Sequence, residues 1–104
     1  MPKASVSLQI VAQTDMKEAY RIVDLVLDML RGEKDISYVV GPMDTVIEGD
    51  LDHVLSLVRR AIQIGHDEGV SSVLSILKIF SGEGDLGCGF LDSVQPAMDL
   101  HNQP

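Results

Sequence analysis

The chain has 104 residues, 45% hydrophobic and 23% charged, enough for one domain with one modest core. A formal net charge of −8 opposes binding to a phosphate backbone or an anionic membrane surface, and 4% aromatics with no Trp leave few stacking platforms for single-stranded nucleic acid. Cys88 is the only cysteine, so no intramolecular disulfide forms, which fits a reducing compartment. The N-terminus lacks a basic and apolar leader, and no apolar run reaches membrane-spanning length; a cytoplasmic protein is expected.

Residues 4–12 open the pattern. Val6, Leu8 and Ile10 alternate with Ser5, Ser7 and Gln9, the period of a half-buried strand. The polar row reads either as a solvated sheet face or as the lining of a concavity. Asp15-Met16-Lys17-Glu18 then forms a capping box, with Asp15 accepting from a first-turn amide and Glu18 reaching back. Met16, Ala19, Tyr20, Val23, Val26, Leu27 and Leu30 recur at helical spacing and predict a helix over 16–31 with Met16 and Tyr20 in its core stripe. Arg31 suits the negative end of the dipole, and Gly32 is expected to stop the helix in the left-handed conformation.

Residues 35–40 form the second predicted strand, broken at Gly41-Pro42. The short connection to Thr45-Val46-Ile47-Glu48 predicts an antiparallel hairpin, and Gly49 marks a turn or a close approach. Asp50 caps a second helix on which Leu51, Val54, Leu55, Val58, Ala61, Ile62 and Gly65 repeat at three and four. Gly65 on that stripe predicts a close approach of helix to sheet, and Gly69 ends the helix. Residues 70–80 are almost continuously apolar and predict a strand covered on both faces for part of its length.

Strand–helix–strand occurs twice with a short middle connection. This gives an α+β, ferredoxin-like βαββαβ fold: a four-stranded antiparallel sheet with two helices on one face. The other face is left to solvent or to a second subunit. The domain spans residues 4–80. Residues 81–104 are a glycine-rich, acidic tail with one short element expected over 90–94.

Few residues carry readable chemistry. Gly82-x-Gly84-x-x-Gly87 matches a dinucleotide fingerprint as a string, but it lacks the following helix, and Glu83 and Asp85 oppose a pyrophosphate. His53 and His66 lie thirteen positions apart on one helix and do not share a metal, so no metal site is expected. Cys88 sits among glycines and acids, which disfavour a thiolate. No spacing selects a catalytic triad, and no enzyme is expected. What remains is the sheet: Ser7 and Gln9 on the first strand, Thr45 and Glu48 on the third, Lys78 on the fourth. They read as a solvated face or as a polar recess.

The chain resembles the small thiamine-binding (YkoF-like) family. The resemblance rests on Ser7-Leu8-Gln9-Ile10, on the central Tyr38–Asp52 stretch with its G-P-x-x-T-x-x-E-G-D pattern from Gly41 to Asp50, and on Ser75-Ile76-Leu77-Lys78-Ile79. It implies non-catalytic binding of thiamine or its hydroxymethylpyrimidine moiety, no cofactor, and pairing of subunits through their sheets into a homo-oligomer, a dimer or tetramer. By motif position it implies Gln9, Thr45 and Glu48 as ligand-binding residues, with Ser7, Tyr38 and Lys78 beside them. The chain departs from the family at Ala12, where members often carry Pro, and in its less basic ending. The alternative is a regulatory or assembly module of the same fold that works through its sheet and takes no small molecule.

Overall fold

The computed structural model describes residues 2–41 and 43–83. The elements run β1 (Lys3–Ala12), α1 (Met16–Arg31), β2 (Ser37–Val40), β3 (Thr45–Asp50), α2 (Leu51–Asp67) and β4 (Val73–Gly82). The four strands form one antiparallel sheet in the order β2-β3-β1-β4, the expected ferredoxin-like arrangement. The expected tail, the element over 90–94, Cys88 and most of the glycine fingerprint lie outside the described residues. β4 itself runs two residues past the expected domain boundary, to Gly82.

Register assigns every side chain to a face. Val6 pairs with Ile47, and both are fully buried, so Ala4, Val6 and Leu8 of β1 face the helices together with Ile47. Ile22, Val26 and Leu30 of α1 and Val54, Leu57, Val58, Ala61 and Gly65 of α2 supply the buried helical stripes. Both stripes are rotated from the expected ones. Ile22 and Leu57 lie in the core, whereas Met16, Tyr20 and Leu55 are exposed. Gly65 does mark a close approach: a Cβ there would lie 2.8 Å from Val73 Cγ2.

The helix ends follow local chemistry with several departures. Asp15 Oδ1 accepts from the Glu18 amide at 2.9 Å as expected, but the Glu18 carboxylate turns to Arg21. Arg21 also reaches Glu68 at 2.7 Å, tying the first turns of α1 to the end of α2. Gly32 stops α1 with φ −81°, in the right-handed region, so its N–H bonding to Met29 and not a left-handed turn closes the helix. The residue that needs positive φ is Asp35, at 64°, which delays β2 to Ser37. Asp50 occupies the cap position of α2 without a side-chain cap bond. Its carboxylate instead pairs with Lys3 Nζ at 2.8 Å, and that hydrogen bond and charge hold it below the usual carboxylate range. Gly69, with φ 94°, takes the left-handed conformation just past α2.

β4 overturns the expectation of two covered faces. The helices cover β1, β3 and the start of β4, where Val73 packs against α2, and the rest of β4 runs uncovered along the sheet edge. Leu77 and Ile79 on the helix side, and Leu74, Ile76 and Phe80 on the other, are all exposed.

Candidate functional site

The β1–β3 ladder ends at the Leu8–Thr45 pair. Beyond it β1 continues against β4, with Gln9 opposite Ile76, while β3 gives way to the turn that joins it to β2. A cavity of about 240 Å³ opens in this gap. Leu8, Gln9 and Ile10 border it from β1, Tyr20, Val23, Val26 and Leu27 from α1, and Val40, Gly41, Met43, Asp44 and Thr45 from the hairpin. The walls are mainly apolar, and the polar groups are Gln9, Asp44, Thr45 and Tyr20. That is the usual make-up of a small-molecule site, at a size suited to a single ring.

The turn positions Asp44 from two sides. Its backbone carbonyl accepts the Gly41 N–H at 2.7 Å, and its carboxylate accepts the Ser7 hydroxyl. Any side chain at position 41 would bring a Cβ within 2.9 Å of that same carbonyl. Glycine is therefore imposed by the closeness of the turn, and the turn fixes where Asp44 sits. Strand alternation sets Gln9 and Asp44 with the sheet face that carries no helix. They border the cavity because no β3 residue pairs with β1 past Leu8.

The six residues singled out in sequence divide between three places. Gln9 and Thr45 meet at this cavity. Tyr38, paired with Ile47, is on the helix side and packs against the core. Ser7, Glu48 and Lys78 lie on the open face, where Glu48 accepts the Ser5 hydroxyl and Lys78 is the register partner of Ser7. Alternation alone separates Thr45 from Glu48, three positions on, by putting them on opposite faces. Asp44 and Tyr20 were missed. The sequence did carry a signal for Asp44, an acid next to Thr45 inside the Gly-Pro turn. Tyr20 read as core because its spacing matches the helical stripe. Among the described residues no group of three His, Cys, Asp or Glu side chains gathers closely enough to hold a metal ion.

A family model described as thiamine-binding protein matches residues 6–85. A UPF0045 protein of Clostridium perfringens is 35% identical over 76% of this chain and 82% of its own length. A solved Bacillus cereus domain of unknown function, DUF77, is 30% identical with a TM-score of 0.79, covering 94% of this chain and 92% of that one. The same fold recurs, at 18% identity and a TM-score of 0.75, in a Thermotoga maritima protein described as a candidate thiamine biosynthesis or salvage protein, over 91% of this chain and 98% of that one.

Proposed function

This chain belongs to the thiamine-binding protein family, and on that premise we propose that it binds thiamine or its hydroxymethylpyrimidine moiety, without transforming it, in the cavity between α1 and the β2–β3 turn. The observation that carries the reading is the meeting of Gln9, Asp44 and Thr45 at one apolar-walled hollow of single-ring size. An aminopyrimidine offers ring-nitrogen acceptors and an exocyclic amino donor. The Gln9 amide can read both, and the Thr45 hydroxyl can donate or accept. The Asp44 carboxylate accepts from the amino group or pairs with a protonated ring. Leu8, Val26 and Leu27 give the flat ring apolar contact, and the acidic protein favours the fixed positive charge of a thiazolium.

We further propose that the function resides in residues 4–80 and that the protein works in the cytoplasm. No helix of the described residues is long and apolar enough to cross a membrane. Calorimetric titration tests the reading: saturable heat with thiamine or with hydroxymethylpyrimidine is expected. No heat with either at high protein concentration leaves the regulatory or assembly module as the better account.

The assembly proposed here uses β4. A ten-residue edge strand with apolar side chains exposed on both faces invites another strand. A second copy, joined about a two-fold axis, aligns β4 antiparallel with β4 and continues the sheet. The mass in solution at micromolar concentration is expected to be that of a dimer or tetramer. A monomer at that concentration overturns the pairing.

A further inference from the structure

The cavity between α1 and the β2–β3 turn is graded in burial from floor to mouth. Leu8 and Val26 are buried, Gln9, Asp44 and Thr45 are half-buried, and Tyr20, Val40 and Met43 are exposed at the rim. Tyr20 is 64% exposed, so most of its ring has no packing role in the fold. Among the described residues that border the cavity it is the one aromatic side chain. On α1, Lys17 lies three positions before Tyr20 and Asp24 four after, on neighbouring turns and both exposed. Arg21, the next cation, is engaged by Glu18 and Glu68. The charges of Lys17 and Asp24 offset, which leaves Asp44 to set the sign of the field at the mouth.

The hollow is of single-ring size, and thiamine carries two rings joined through one methylene. The groups that can read an aminopyrimidine, Gln9, Asp44 and Thr45, lie inside. The thiazolium is a fixed cation. Between the apolar walls it would lose its hydration for a single carboxylate that already accepts the Ser7 hydroxyl. At the rim it keeps water on one side and meets the Tyr20 ring on the other. An aromatic face attracts a cation through its quadrupole, more strongly where water is partly excluded, and Val40 and Met43 supply apolar surface beside it.

Resting on the thiamine reading of this cavity, we propose that Tyr20 is its selectivity residue: the ring stacks on the thiazolium at the mouth and makes the protein prefer the two-ring cation to the free pyrimidine. The test is calorimetric titration of the full chain with three probes: thiamine, hydroxymethylpyrimidine, and the neutral thiamine analogue in which a thiophene replaces the thiazolium. The unmodified protein is expected to bind thiamine at least about tenfold more tightly than either neutral probe. Tyr20→Leu keeps apolar bulk at an exposed position but removes the aromatic face, and it is expected to cut that preference about tenfold. Tyr20→Phe is expected to keep it. A pyrimidine bound as tightly as thiamine by the unmodified protein, a preference unchanged in Tyr20→Leu, or one lost equally in Tyr20→Phe overturns the role of Tyr20. Each of these leaves the cavity reading standing, because the pyrimidine still binds. No heat with any of the three probes overturns the cavity reading and the role of Tyr20 with it.

Discussion

Replacing Asp44 by Asn is expected to weaken thiamine and hydroxymethylpyrimidine binding by about 10- to 100-fold, the range for one hydrogen bond that loses its charge. The substitution keeps the shape of the side chain and the backbone carbonyl that receives the Gly41 N–H, so the turn holds. What disappears is the carboxylate to which the proposed binding mode assigns the amino group and the attraction for the thiazolium. Calorimetry at matched concentrations measures the change. Thr45→Val, which removes a single neutral hydroxyl at the same cavity, should cost less, about tenfold. Normal binding by both variants would rule out this cavity even with the family correct. A loss seen instead with Glu48→Gln alone would move the site to the opposite sheet face, since register separates Glu48 from Thr45.

Leu57→Ala lowers the unfolding free energy by about 2–5 kcal/mol, the cost of truncating a leucine where neighbours cannot close the space. Leu57 is fully buried, within the cluster that includes Val6, Ile47, Val54 and Ala61. Leu55, two positions earlier on the same helix, is 37% exposed, and Leu55→Ala should cost well under half as much. Urea denaturation of the pair checks both the size and the contrast. Equal losses would mean that α2 is rotated from the orientation described.

That contrast shows where sequence reading stopped. The spacing of Val54, Val58, Ala61 and Gly65 located α2 and its buried side, but several apolar residues are consistent with one stripe. Leu55 fits the three-and-four spacing as well as Leu57 does. Which of them is covered depends on the angle at which the helix lies on β1 and β3. Tyr20 shows the same ambiguity on α1: periodicity made it core, and the structure leaves it exposed at the mouth of the cavity. For the site, the hairpin turn and Thr45 were legible, whereas Asp44 gained its meaning only from the Ser7 hydroxyl and the Gly41 amide that hold it.

The sequence by itself determined the order and kind of the elements, because alternation, helical spacing and the Asp15 cap are local properties of the chain. The family resemblance is equally local, lying in contiguous motifs. Only the tertiary structure decided that β1 and β3 part after Leu8 to leave a hollow, and that most of β4 stands uncovered at the edge. Those outcomes depend on register and on how far two helices extend over four strands. Both are set by contacts between segments distant in sequence, which no window along the chain contains.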